Sequence, residues 1–339
     1  MAKIKQFSIF DIVKVRKMIS LLQSTENLSF TKHLLLFPIK ILQNYLPLQL
    51  RKFTEYFVSL ENDEINGMIS VRAEHGNPHK WNIRHLFLNK NSYLSGRQLV
   101  DYVISKFGAL GANTFCAIVK DNDEELIDLF SKGCGFRLCS HESMWKFNNI
   151  KISQLETNES TFKSFKNSDA KNVCELYNDS IYPHFRYSLA KTKTEFYDRI
   201  FQGLSSTSYF KYIAEDSNEK IKAFIEIQTT DNSNYILDIV LSNGYEDSYG
   251  EMLHFAINQI IRRNRNFSLY VVNRKYMMTS KKIEEFMKAN NLEMVQNHMV
   301  LVRDFYKTIL QEDRIAKPAI AFTEIKGRPA FNINTKDSL

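Results

Sequence analysis

The chain is poor in the residues that interrupt or staple a fold, with 11 Gly, 6 Pro and 4 Cys in 339 residues. So little Gly and Pro excludes collagen-like, linker-dominated and disordered classes. The cysteines, Cys116, Cys134, Cys139 and Cys174, make no C-x-x-C pair and show no Cys/His spacing of a zinc site. No metal is therefore expected, and reduced thiols fit a cytoplasmic protein. Long hydrophobic runs are missing too. The most apolar window, Leu34 to Leu48, contains Pro38, Lys40 and Pro47 and is too short and broken to span a bilayer. At the N-terminus, Asp11 interrupts the run Phe7 to Val13, and Lys14, Arg16 and Lys17 follow, so a secretory leader is not expected.

Aromatic residues are abundant, with 25 Phe and 16 Tyr, and 44% of the chain is apolar. The length accommodates about two domains, each with its own core. The net charge of +7, from 45 basic and 38 acidic residues, suits an anionic ligand without choosing among a phosphorylated cofactor, nucleic acid and a membrane surface.

Periodicity predicts the elements in turn. Phe10 to Leu22 reads as an amphipathic helix, and Leu50 to Leu60 with Ile65 to Val71 as a hairpin. His75 to Pro78 reads as a loop. The stretch Trp81 to Phe136 then gives a strand (Ile83 to Leu88), a polar loop (Asn89 to Ser95), Gly96, a helix (Arg97 to Phe107) and a strand (Thr114 to Val119). It closes on an acidic helix start at Asp123 to Glu125 and on Gly135-Phe136, and Phe136 to Phe147 forms a further strand. The polar stretch Asn148 to Asn167 reads as a linker.

The second half predicts a helix at Ala170 to Asn178, a loop with Pro183, a helix at Lys193 to Phe201 and a hairpin of Tyr209 to Glu215 with Ile221 to Gln228. A strand (Tyr235 to Leu241), a polar loop (Ser242 to Tyr249), Gly250 and a helix (Glu251 to Arg263) follow. The chain then runs through a strand (Ser268 to Val272), a helix (Ser280 to Asn290) and a closing strand (Leu292 to Val302). Gly96 to Thr114 and Gly250 to Ser268 both span eighteen residues. The same order and spacing about 150 residues apart is a structural repeat. The expected organisation is 1–150, a linker 151–166, 167–306 and an extended tail 307–339.

This order resembles the GNAT acyltransferase fold. In that family the loop after the fourth strand carries Q/R-x-x-G-x-G/A and cradles the coenzyme A pyrophosphate. The matching windows here are Asn91 to Gly96 and Tyr245 to Gly250, each keeping only the last glycine. The stretches WNIRHLFLNKNSYLSGRQLVDYV, LFSKGCGFRLCSHESMW and MVQNHMVLVRDF are similar to bacterial tandem GNAT proteins. The resemblance implies an α/β (α+β) fold of two tandem GNAT-like domains, each a mixed, mostly antiparallel sheet flanked by helices. It implies acetyl-CoA as acyl donor and transfer to a small-molecule or peptide amine. Leu86, Phe87 and Leu88 would hold the thioester arm by their backbone. Leu94, Ser95, Gly96, Arg97 and Gln98, with Gly250 in the second copy, would face phosphate.

The family's usual acid is a tyrosine on the helix after the fifth strand. That place holds Phe130 or Ser131, and Tyr276 is the nearest substitute in the second half. Glu246, Asp247 and Glu251 would repel phosphate, which makes the first copy the better coenzyme A site. His85, mid-strand beside Arg84, is a candidate base. Arg262, Arg263 and Arg265 end a helix, where cations are favoured anyway, so nucleic acid is not the expected partner. A non-catalytic acyl-CoA-binding or protein-interaction module is the alternative reading, and aminoacyl-tRNA-dependent transfer is a third.

Overall fold

A computed structural model describes residues 3–21, 54–62, 64–74, 77–89, 92–147, 162–198, 208–218 and 220–305. The Leu34 to Leu48 window, most of the linker and the tail lie outside these residues. The described strands form one sheet of twelve. In chain order they are β1 (Lys3–Gln6), β2 (Glu55–Glu61), β3 (Glu64–Glu74), β4 (Asn77–Leu88), β5 (Thr114–Lys120), β6 (Arg137–Lys146), β7 (Phe162–Ser164), β8 (Ser208–Glu215), β9 (Ile221–Thr229), β10 (Asn234–Leu241), β11 (Ser268–Arg274) and β12 (Glu293–Asp304). The helices are α1 (Ile12–Leu21), α2 (Tyr93–Gly108), α3 (Glu124–Asp128), α4 (Ala170–Ser180), α5 (Pro183–Leu189), α6 (Tyr249–Ile261) and α7 (Ser280–Ala289).

The spatial order is β1-β2-β3-β4-β5-β12-β6-β11-β10-β9-β8-β7. Each half runs antiparallel through its first strands and turns parallel once, at β4–β5 and at β10–β11. The closing strands are exchanged. β12, from the second half, lies between β5 and β6, whereas β6, from the first half, pairs with β11. The exchange reaches into the cores. Trp145 of β6 is buried with the α6–β10–β11 core, and Leu301 of β12 is buried with the α2–β4–β5 core.

Helix α2 shows why such elements form where they do. Leu99, Val100, Val103, Ile104 and Phe107 recur at helical spacing and are all buried, so one stripe of the helix seals the first core. Helix α6 does the same in the second half through Met252, Leu253, Ala256, Ile257 and Ile260. Helices α4 and α5 cover the opposite sheet face, where Val173, Leu176 and Tyr177 meet Phe224, Val240 and Val302. A buried ion pair ties this layer to the first half. Lys80 Nζ is 2.8 Å from Glu74 and donates to the Ala190 carbonyl at 3.0 Å.

Several expectations need correction. The helix expected at Lys193 to Phe201 is only a 3-10 turn, Lys193–Glu195, in its described part. The helix lies earlier, where Pro183 takes its first position and needs no N–H. Asn77 and Pro78 belong to β4 rather than to a loop. Phe162–Ser164, within the polar stretch read as linker, forms β7 on the edge of the sheet. Both glycine-bearing helices begin before their glycines, so Gly96 and Gly250 sit inside first turns. No helix among the described residues is long and apolar enough to cross a membrane.

Candidate functional site

The two parallel strand pairs come apart partway along. β4 and β5 are paired only from Lys80↔Thr114 to Ile83↔Ala117, although β4 continues to Leu88. The parting coincides with a bulge. The β3–β4 register jumps from Ser70↔His85 to Val71↔Ile83, which leaves Arg84 as the extra residue. A bulge bends its strand and re-aims it. Beyond it, Leu86, Phe87 and Leu88 pair with Ile69, Met68 and Gly67 on one side and with no described strand on the other. A strand that parts from its neighbour in this way can take an extended amide chain as an additional strand.

The loop from this edge leads to the start of α2. Asn91 lies outside the described residues. No acidic side chain occupies the first turn, and the Ser92 N-cap makes no side-chain bond. The N–H groups of Tyr93, Leu94 and Ser95 precede the first intrahelical bond, so they and the helix dipole point at an incoming anion. Leu94 is exposed and Ser95 buried. Arg97 is exposed, 3.7 Å from Asp101, and Gln98 beside it is half-buried.

Gly96 plays a different part from the one expected. Its N–H donates to the Ser92 carbonyl at 2.9 Å and is not free for phosphate. A Cβ there would stand 2.7 Å from Leu88 Cδ1 and 3.0 Å from Leu129 Cδ1. The glycine lets α2 approach the end of β4. Gly250 likewise makes room for a ring, with Phe286 3.2 Å from where its Cβ would be.

No phenol stands where the family's acid would be. Phe130 is buried edge-on to Phe136 at 5.1 Å, and the Ser131 hydroxyl donates to the Ile127 carbonyl at 2.6 Å. Just past the bulge, His85 Nδ1 is 2.9 Å from Ser70 Oγ on the neighbouring strand. This contact orients the imidazole, and the ring stacks on Phe87.

In the second half, β10 and β11 pair from Asn234↔Ser268 to Asp238↔Val272 and then part. A cleft opens there, bordered by Ile239, Leu241, Asn273, Arg274 and Met277. The β9–β10 pairing runs through without a bulge. The loop that follows supplies its own anion. Glu246 sits only 14% exposed, with Lys282 Nζ 3.4 Å away. Burial pulls its carboxyl up, but the N–H groups of Glu246 and Gly244 and the Lys282 ammonium hold it below the usual carboxylate value. A bound carboxylate thus occupies donors that a phosphate would need.

Tyr276 belongs to this second parting. Its buried hydroxyl donates to Glu142 Oε1 at 2.9 Å, and the Tyr177 hydroxyl is 3.3 Å away. Burial first, then the Glu142 carboxylate, pushes the phenol well above its ordinary pKa. Three strand steps separate β5 from β11, roughly 14 Å at the usual spacing. Tyr276 therefore does not come together with Leu86 to Gln98.

The structure also assembles a group that the sequence does not reveal. Directly opposed strand partners share a sheet face, and Lys211↔Glu226↔Asp238 are opposed across β8, β9 and β10. Arg274↔Glu142↔His298↔Lys120 continue the row across β11, β6, β12 and β5. Arg274 joins the two parts, with Nη1 on Asp238 and Nε 3.3 Å from Glu142. A line of charge thus crosses the face covered by α4 and α5. Two of its members, Glu142 and His298, sit on the exchanged strands.

Arg263 is engaged within the second half. It donates to the Tyr212 hydroxyl at 3.0 Å and lies 4.0 Å from the Phe210 ring centroid.

Comparison with solved structures assigns the architecture. The tandem GNAT protein of the clavulanic acid biosynthesis pathway superposes with a TM-score of 0.60 at 9% identity, over 91% of this chain and 100% of that one. The fold is that of a tandem GNAT protein. A GCN5-related N-acetyltransferase from Sphaerobacter thermophilus gives a TM-score of 0.54 at 9% identity, covering 91% of this chain and 97% of that one. A glucosamine N-acetyltransferase region of a fungal GH3 β-N-acetylglucosaminidase gives 0.56 at 12% identity, over 89% of this chain and 38% of that one. Neither a protein-family model nor a curated protein matches the sequence. In GNAT terms, each half supplies one strand parting, and each closing strand completes the other half.

Proposed function

We propose that the protein is an acyl-CoA-dependent N-acyltransferase whose donor, acetyl-CoA in the simplest case, binds at the first parting. The observation that carries this reading is the bulge at Arg84. There the pairing of β4 with β5 ends, and the chain runs on through Leu86 to Leu88, held by β3, to a helix start free of acidic side chains. In this reading the Leu86–Leu88 backbone orients the thioester arm, and Leu94, Ser95, Arg97 and Gln98 meet the pyrophosphate. His85 takes a proton from the attacking amine. Nitrogen bonds to the acyl carbon, the C–S bond breaks, and the proton ends on the thiolate. The acceptor is a small-molecule or peptide amine.

A second reading places chemistry at the second parting. The observation favouring it is Tyr276, a phenol that burial and Glu142 keep protonated, as a general acid requires. Against it, Glu246 fills the loop that would bind pyrophosphate.

Calorimetry with acetyl-CoA, followed by a turnover screen with polyamines, amino acids and peptides, tests the proposal. Wild type should bind one equivalent. Arg97→Glu should weaken binding by about tenfold, as expected for losing a charge-assisted contact and placing a carboxylate at the helix start. Glu246→Ala should leave binding unchanged. No binding by wild type sinks both coenzyme A readings. Turnover abolished by Tyr276→Phe but not by His85→Gln would transfer the chemistry to the second half.

A further inference from the structure

The sheet face opposite α2 is open to solvent at the first parting. Helix α1 covers β2 and β3 on this face, with Val15, Met18 and Ile19 buried against Tyr56, Val58 and Met68. Helices α4 and α5 cover the second half as far as Val300 and Val302 of β12. The row Arg72↔Asn82↔Cys116↔Val302 carries the same face across β3, β4, β5 and β12. Below that row the strip between the helices is closed, because Lys80 of β4 reaches the Ala190 carbonyl. Above it the floor is bare. Ile118 lies on β5, the fifth of twelve strands in spatial order, yet it is 54% exposed. Its direct partner Val300 is buried. On β4, His85 is exposed while its direct partner Ser70 is completely buried. Solvent therefore reaches the sheet at His85 and Ile118, where β4 and β5 have stopped pairing, and is shut out on either side.

The charge around this opening is of one sign. Lys120 follows Ile118 by two residues on the same face, with His298 directly opposite. Arg84, the extra residue of the bulge, is exposed and makes no hydrogen bond or ion pair among the described residues. The acidic side chains bordering the strip are each held by a cation, Glu74 by Lys80, Asp304 by Arg137 and Glu142 by Arg274. Successive residues on one face of a strand lie roughly 7 Å apart. A small molecule whose amine sits at the His85 and Ile118 row thus extends to the Lys120 row. A second ammonium there would meet like charge, whereas a carboxylate or phosphate would be attracted.

We propose that the acceptor is a compact primary amine that also carries an anionic group, a carboxylate or a phosphate. Its nitrogen lies over Ile118 beside His85, and its anionic group meets Lys120 and Arg84. This choice of acceptor rests on the acyl-transfer reading and adds the chemistry that selects the substrate. The bonds made and broken are those of that reading, N–C formed and C–S broken, and the anionic group takes no part in them.

Calorimetry with acetyl-CoA on the intact protein tests the acyl-transfer reading by itself. Amines are then compared at saturating acetyl-CoA by thiol release, and by calorimetry on protein saturated with coenzyme A. The anionic set is the standard amino acids, 4-aminobutyrate and O-phosphoethanolamine. Amino-acid amides, putrescine and ethanolamine are their counterparts without the anion, and O-phosphoethanolamine separates phosphate from carboxylate. At least one anionic amine should bind and turn over, with kcat/KM at least tenfold above that of its counterpart. Lys120→Met should raise KM for that amine by about tenfold, the scale of one charge-assisted contact, and narrow its lead over the counterpart. Arg84→Gln, at an exposed position, should act in the same direction and decides the matter even if Lys120→Met does not fold. Acetyl-CoA binding together with equal or better use of the amines lacking an anion overturns the proposal and leaves acyl transfer standing. So does acetyl-CoA binding with no anionic amine bound, or an unchanged KM in both variants. Failure of acetyl-CoA to bind removes the acyl-transfer reading and the proposal with it.

Discussion

At the scale of single residues, Gly96 shows how one position can serve a purpose other than the one its motif implies. Its window points to phosphate, but Leu88 and Leu129 close over it. Gly96→Val should therefore cost about 1–3 kcal/mol through overpacking, read as a lower Tm. An unchanged Tm would mean that α2 sits farther from β4 than described. Asp231 offers a pH test. Its carboxylate accepts from the Asn234 N–H first, then from the Asn234 amide and the Ser233 N–H, and its pKa is lowered to about 2. A depressed carboxylate stabilises the fold above its unfolded pKa, near 3.9, and loses that contribution as the pH falls towards 2. Asp231→Ala should thus be destabilising at neutral pH by less than about 1 kcal/mol, because the residue is exposed. The gap between the two proteins should close near pH 2, as followed by urea unfolding.

At the scale of elements, the strand predictions largely match the observed sheet, because β-branched and aromatic alternation is local. The partner of each strand is not local. Trp145 stands in the first half of the chain, yet its ring is buried among Tyr235, Leu237, Tyr249 and Leu269. Trp145→Ala should cost about 3–5 kcal/mol. Its effect on hydrogen exchange should appear at β10, β11 and α6 rather than at α2. Faster exchange confined to α2 would contradict the exchanged pairing. The helix at Pro183–Leu189 was hidden for a related reason. Proline reads as a breaker unless the chain places it at the first helical turn, and the packing of Ser188 and Leu189 under the sheet decides that.

At the scale of the whole molecule, the exchange makes the two halves mutually dependent. A chain cut near residue 150 separates β5 from β12 and β6 from β11, and breaks the contact of Lys80 with Ala190. Fragments 1–150 and 151–339 expressed singly should lack cooperative unfolding and expose long unpaired edges. Co-expression should restore one complex with a single transition. Two independently stable fragments would overturn this expectation.

The amino-acid sequence by itself determined most of the strands, the helices that carry Gly96 and Gly250, and the repeat, while its resemblance to GNAT proteins implied the tandem architecture. The elements rest on periodicity within one segment, which short-range backbone and side-chain preferences dictate, and the repeat on their matching order and spacing. It also pointed to the second loop as the poorer phosphate site, since acidic residues near a helix start act locally. Only the tertiary structure decided that the closing strands are exchanged, that Tyr276 stands apart from Leu86 to Gln98, and that Glu226, Asp238, Arg274 and Glu142 form one row. These depend on which strand lies beside which. That choice is made by burying apolar faces contributed from positions some 150 residues apart, and no local pattern encodes it.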